Sequence, residues 1–269
     1  MGVLNVTPDS FSDGGRFPSV EEAVAQGVRM ASAGAALIDV GGESTRPGAQ
    51  AVSVQEELRR VLPVIERLRE AASAVISVDT SKPEVMTAAA AAGAGLINDV
   101  RALRAPGALA AAAASGCALC LMHMQGEPRT MQLAPHYADV VGEVREFLAR
   151  RVAACRDAGI AADRLVVDPG FGFGKNLEHN LTLLRHLGRL VADGVPVLVG
   201  LSRKSMLGTL TQRTPAERVH GSVALAVIAA LAGARIIRAH DVAATADALK
   251  VVAAVAAGLS PMDGCLRER

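Results

Sequence analysis

Short apolar runs alternate with longer segments of helical periodicity from one end of the chain to the other. The runs Gly2–Val6, Ala36–Val40, Ala74–Val78, Gly95–Val100, Cys117–Met122, Arg164–Val167, Pro196–Gly200 and Ala234–Arg238 predict eight strands. The intervening patterns predict helices over Val20–Ala33, Val54–Ala71, Pro83–Ala92, Pro106–Ser115, Ala138–Ala158, Leu177–Leu190, Pro215–Leu231 and Val242–Ala256. Start signals agree: Ser19 precedes Glu21 and Glu22, Ser53 precedes Glu56 and Glu57, and Ser81 with Lys82-Pro83 offers a cap and an early proline. Gly34, Gly93, Gly116, Gly159 and Gly233 follow helical segments, where a left-handed terminus suits glycine.

Strands this rich in Val, Ile and Leu belong to a parallel sheet covered on both faces. Eight β/α units predict a single-domain (β/α)8 TIM barrel over residues 1–258 with a tail over 259–269. An open doubly wound sheet is the alternative. The 269 residues match the roughly 250 of one such barrel.

Composition narrows the function. With no Trp, one Tyr and five Phe, the chain lacks the aromatic surface on which RNA bases stack. Its 28 basic and 27 acidic side chains leave a net charge of +1, so neither nucleic acid nor an anionic membrane is an expected partner. The longest apolar run, Val223–Ala234, is too short to span a bilayer, and Asn5 and Asp9 interrupt any leader-like opening. Cys117 and Cys120 form a CxxC, but on a strand they point to opposite faces and read as reduced core thiols. Cytoplasm is the expected compartment.

The chemistry lies where the strands end. Asn5, Asp39, Asp79, Asn98 with Asp99, and Asp168 close five of them; the seventh runs into Ser202-Arg203-Lys204-Ser205 and the eighth ends at Arg238 and His240. In a barrel these positions converge on the carboxyl-end rim, where such enzymes keep their active sites. One acid at a strand end is commonly a helix cap, but this accumulation predicts a polar funnel. Two loops, Thr7 to Arg16 and Gly41 to Gly48, are rich in hydroxyls and glycine and read as lids. Arg46 offers a bidentate phosphate clamp, and Asn5 and Asp9 offer oxygens to a Mg2+ ion. Gly170-Phe171-Gly172-Phe173-Gly174-Lys175 lacks the Ser or Thr of a nucleotide-binding loop, since Asn176 stands there. It reads instead as a tight turn presenting Phe173 as an apolar wall. His123 is expected to be structural.

Taken in order, these segments resemble a known family. Met1-Gly2-Val3-Leu4-Asn5-Val6-Thr7-Pro8-Asp9-Ser10-Phe11-Ser12-Asp13-Gly14-Gly15 resembles the opening signature of the dihydropteroate synthases, and Gly42-Glu43-Ser44-Thr45-Arg46-Pro47-Gly48 the second. Asp168 to Lys175, Ser202 to Ser205 and Arg238-Ala239-His240-Asp241 match further positions. The resemblance implies condensation of 6-hydroxymethyl-7,8-dihydropterin diphosphate with 4-aminobenzoate, with loss of pyrophosphate. It implies that Asp79, Asn98, Met122, Asp168, Lys204 and Arg238 line a pterin pocket. Asn5, Thr45, Arg46, Arg238 and His240 would hold the diphosphate, and Thr45, Arg46, Pro47, Phe173 and Ser205 the aminobenzoate. Arg46, Asp79, Lys204, Arg238 and His240 would be catalytic, with Mg2+ on Asn5 and Asp9. A homodimer, and sulfonamides as inhibitors that mimic aminobenzoate, are further family expectations. The rivals are a methyltetrahydrofolate:corrinoid methyltransferase, which has no use for an anion clamp, and a non-catalytic pterin-binding module.

Overall fold

A computed structural model of the chain describes residues 1–7, 19–44, 51–127 and 130–257. Its first half runs β1 (Gly2–Asn5), α1 (Val20–Ser32), β2 (Leu37–Gly41), α2 (Val54–Ala71), β3 (Val75–Asp79), α3 (Pro83–Ala92), β4 (Leu96–Asp99), α4 (Ala108–Ser115) and β5 (Ala118–Met122). The second half follows as α5 (Val140–Asp157), β6 (Leu165–Asp168), α6 (Leu177–Arg185), α7 (Leu187–Val191), β7 (Leu198–Gly200), α8 (Ser205–Thr211), α9 (Val219–Leu231), β8 (Ile236–Arg238) and α10 (Val242–Ala256).

All pairings are parallel. β1 to β6 form one continuous ladder and β7 pairs with β8. Two seams close the ring: a bridge between Val167 and Val197 joins β6 to β7, and one between Gly2 and Ala239 joins β8 to β1. Backbone bonds reinforce the second, Val3 N–H to Ala239 O at 3.1 Å and Ala239 N–H to Met1 O at 2.9 Å. The open sheet is therefore ruled out.

The period of two sorts every strand. Ile38, Val40, Ile76, Val78, Ile97, Leu119, Leu121, Leu165 and Val167 pack outward against the helices in one large core. Leu96, Cys120, Val166 and Leu198 pack together inside the ring, with Leu37, Ala118 and Ile236 against them. Cys117 belongs to the outer core and Cys120 to the inner, so the CxxC pair does face opposite ways. The described thiols Cys117, Cys120 and Cys155 are free.

Ser19 forms a capping box with Glu22, Ser53 caps Glu56, and the five expected glycines all take positive φ. Ser81 does not cap α3: Lys82 occupies the cap position with no side-chain bond, and the Ser81 hydroxyl donates to Asp99 instead. The helix expected over Leu177–Leu190 breaks at His186, and that over Pro215–Leu231 starts only at Val219, after a separate 3-10 turn. α8 was not predicted, because seven residues with a central Gly208 give too little periodicity to register. The expected tail, 259–269, lies outside the described residues.

Candidate active site

Inside the barrel, above the apolar layer, the inward positions turn polar. Asp39 of β2 is fully buried and accepts from the Ser77 hydroxyl at 2.5 Å, the Asn98 amide at 3.0 Å and Arg238 Nε at 2.6 Å. Arg238 Nη2 reaches Asp79 at 2.9 Å. One guanidinium thus bridges two carboxylates contributed by neighbouring strands. Because Asn98 gives its NH2 to Asp39, its amide is oriented with the carbonyl oxygen left for a ligand.

On the opposite wall Asp168 takes the Gly170 N–H at 2.7 Å. Burial pushes its carboxyl up, against the Gly170 bond and the neighbouring cations Lys204 and Arg238. Asp79 rises to about 7, through burial first and then the charge of Asp39, while Arg238 pulls the other way. Burial takes Lys204 down to about 8, opposed by Asp168. For Arg238 burial works toward deprotonation but is outweighed by Asp39, Asp79 and Asp168, so the guanidinium stays charged.

Lys204 is placed by an unusual turn. Arg203 adopts φ 58°, its N–H on Ser222 Oγ at 3.0 Å and its guanidinium on Asp241 at 3.0 and 2.5 Å. That fastening turns Arg203 outward and delivers Lys204 to the Phe173 ring, with Nζ 4.3 Å from the centroid. Val100, Met122, Met124 and Met131 form an apolar wall against which Phe173 packs. Ser205 is exposed at the first turn of α8. His240 pairs with Ser202, whose Oγ accepts the His240 backbone N–H at 3.1 Å and lies 3.1 Å from the ring Nδ1. Burial, Arg238 and Arg203 lower the imidazole to about 4, so it is neutral at neutral pH.

At the end of β1, a Cβ added to Gly41 would lie 3.5 Å from Asn5 Oδ1 and 3.9 Å from Asp79 Oδ2. Glycine therefore keeps open the cradle between them. Among the described residues no group of three or more His, Cys, Asp or Glu could hold a metal alone. Mg2+ needs only one or two protein oxygens where phosphates supply others, and the Asn5 amide oxygen fits that use. Asp9, Thr45, Arg46 and Pro47 lie outside the described residues.

The strand-end pattern included Asp39, yet gave it no role; its part emerges only from the three donors that converge on it. Lys175 was also passed over. It is 2% exposed, lowered to about 7 by burial first, and bonded to His123 Nδ1 at 2.9 Å. His123 is structural, as expected; burial first and then Lys175 hold it neutral, at about 2.

A barrel whose carboxyl-end pocket combines carboxylates, an amide and two cations suits a heterocycle edged with both donors and acceptors, and such a pocket defines a pterin-binding enzyme. The family model described as pterin binding enzyme matches residues 1–240. The dihydropteroate synthase of Escherichia coli (strain K12) is 57% identical over 254 residues, covering 94% of this chain and 90% of the relative. The crystal structure of the Yersinia pestis dihydropteroate synthase with a sulfonamide drug complex is 55% identical, with a TM-score of 0.92, over 95% of this chain and 93% of that one. The Xanthomonas albilineans enzyme with 4-aminobenzoic acid is 60% identical, with a TM-score of 0.90, over 95% and 92%. The chain belongs to the pterin binding enzymes and, within them, to the dihydropteroate synthases, which are transferases.

Proposed function

We propose that the enzyme joins 6-hydroxymethyl-7,8-dihydropterin diphosphate to 4-aminobenzoate, yielding 7,8-dihydropteroate and pyrophosphate. The observation that carries this reading is the meeting of Asp79, Asn98, Asp168, Lys204 and Arg238 in one buried pocket below an apolar wall bearing Phe173.

The pterin's NH donors face the carboxylates of Asp79 and Asp168 and the Asn98 carbonyl, while its carbonyl oxygen accepts from Lys204. Met122 packs on one ring face and the Arg238 guanidinium stacks on the other. Arg238, the neutral imidazole of His240, Asn5, Thr45 and Arg46 receive the diphosphate. The C–O bond at the exocyclic methylene breaks as charge gathers on the leaving group, and the electron-rich dihydropterin stabilises the cationic carbon. The amine nitrogen of 4-aminobenzoate, held by Thr45, Arg46, Pro47, Phe173 and Ser205, forms the C–N bond and then loses a proton. Mg2+, held by Asn5 and Asp9, would add charge neutralisation at the diphosphate.

The enzyme acts in the cytoplasm as a homodimer. Free, buried cysteines suit a reducing compartment, and among the described residues no helix is long and apolar enough to cross a membrane. α10 is mostly apolar, yet only Thr245 in it is buried; its Val251 and Val255 stand exposed, as do Ile228 and Leu231 of the adjoining α9. A second copy of the chain is the occupant proposed for that face.

The test is pyrophosphate release from the pterin diphosphate with Mg2+, with and without 4-aminobenzoate. Release that depends on the amine and yields dihydropteroate is expected. Pterin binding without amine-dependent release would overturn the reading.

A further inference from the structure

Among the buried charged groups, Lys175 has no part in the reaction just derived. Its Nζ has three polar neighbours: His123 Nδ1 at 2.9 Å, Gly170 O at 3.0 Å and Phe173 O at 3.0 Å. These match the three hydrogens of an ammonium. They equally match a neutral amine that donates to the carbonyls and accepts from the imidazole, so the arrangement does not depend on the proton's location.

Two of those neighbours are the ends of one turn, since Phe173 N–H donates to Gly170 O at 3.1 Å. Lys175 therefore closes the turn on itself and fastens it to the segment after β5. The backbones touch there as well. A Cβ on Gly170, at φ +67°, would come within 1.9 Å of His123 O, and one on Gly174, at φ +62°, within 2.4 Å of Gln125 O. Tyr137 OH donates to Gly174 O at 2.9 Å, Asn180 Oδ1 accepts the Gly172 N–H at 2.8 Å, and Gln132 donates to Gly172 O. With Asp168 on the Gly170 N–H, a five-residue loop is held by five separate side chains, and it sets the Phe173 ring against the wall of Met122 and over the Lys204 ammonium.

We infer that Lys175, anchored on His123, is a positioning residue that fixes the Phe173 wall and so determines how the second substrate is accepted. The inference rests on the proposed seat of 4-aminobenzoate at Phe173. Lys175 reaches the reaction only through Phe173; it does not touch substrate. Removing it releases the wall while leaving Asp79 and Asn98 in place; Asp168, which accepts the Gly170 N–H, is the one pterin-site carboxylate tied to the loop.

The test compares Lys175→Met, Phe173→Leu and the double variant. Lys175→Met is expected to raise the KM for 4-aminobenzoate about tenfold, as small displacements of a positioned wall do. The pterin dissociation constant, titrated directly, should move much less, about two- to threefold, because Asp79, Asn98 and Arg238 are untouched and only the flank at Met122, Asp168 and Lys204 adjoins the loop. In the Phe173→Leu background the same change should add almost nothing, since residues acting as one unit are non-additive. Should Lys175→Met fold poorly, Tyr137→Phe loosens the loop at Gly174 alone, with a smaller rise expected in the same constant. Parallel loss of affinity for both substrates, or full additivity with Phe173→Leu, would reduce Lys175 to general scaffolding. If Phe173→Leu leaves the 4-aminobenzoate KM unchanged, the seat of that substrate is misassigned and the inference falls with it. If Phe173→Leu raises it and neither Lys175→Met nor Tyr137→Phe does, the inference alone fails.

Discussion

Asp39 gives the sharpest test of the site's electrostatics. It is fully buried, accepts three hydrogen bonds, and shares Arg238 with Asp79. Asp39→Ala would strand the Arg238 Nε, the Asn98 amide and the Ser77 hydroxyl together. Breaking a buried charge pair from one side costs about 3–5 kcal/mol. For a chain of this size that lowers the melting temperature by about 10 °C. Asp39→Asn keeps the shape and an acceptor but turns the bond from Arg238 into a charge–neutral one, a loss of about 1–2 kcal/mol. Its more telling effect falls on Asp79, which Asp39 helps to keep protonated to about 7. Without that charge Asp79 ionises at lower pH. Thermal unfolding and the pH dependence of kcat/KM for the pterin diphosphate read the two effects separately. The Asn variant should show its acid limb displaced to lower pH, with milder loss of melting temperature than the Ala variant. An acid limb that stays in place, or an Ala variant as stable as the parent, would refute the argument that Asp39 governs Arg238 and Asp79.

Other expectations follow from the same geometry. In the unaltered enzyme kcat/KM should be bell-shaped, rising through about 7 as Asp79 ionises and falling above about 8 as Lys204 loses its proton; a flat profile across that range would contradict both assignments. Asp79 is raised above its unfolded value, so its cost to stability grows as pH climbs from that value to about 7 and is fully present at pH 8. Asp79→Asn should therefore melt higher at pH 8 while binding pterin more weakly, and a lower melting point there would be the wrong sign. Gly170→Ala should cost about 1–2 kcal/mol from its left-handed φ alone, with the contact on His123 O added; an unchanged denaturation midpoint would show the loop can yield. The dimer face proposed on α9 and α10 predicts that Leu231→Arg with Val251→Arg halves the sedimenting mass, and an unchanged mass would refute that face.

The barrel was legible because most strands are nearly continuous aliphatic runs and several helices carry local start and stop signals; Ser19 and Gly93 announce their roles within three or four residues. That Asp79, Asn98, Asp168, Lys204, Arg238 and His240 gather at one rim was legible because strand ends in a barrel converge there, whereas Met122 and the part proposed for each came only from the family resemblance. Asp39 was not, since its importance comes from partners 38, 59 and 199 positions away. Lys175 hid for the opposite reason. It lies in a motif whose glycines draw a phosphate-loop comparison, and nothing local says that its side chain folds back onto His123. Helix α8 and the break at His186 are short-range compromises with tertiary packing, for which periodicity carries no signal.

The two seams give the charged network a second meaning. β7 and β8 are laddered to each other, but a bridge at Val167–Val197 and another at Gly2–Ala239 join them to the other six strands. The cations Lys204 and Arg238 ride on the smaller sheet or just after it; Asp39, Asp79 and Asp168 ride on the larger. Arg238 reaches across to Asp39 and Asp79, so the groups that greet the ligand also clasp the ring shut. Evolution cannot retune such a pocket without loosening the vessel around it, and a molecule that fills the pocket acts as a rivet as well as a reactant.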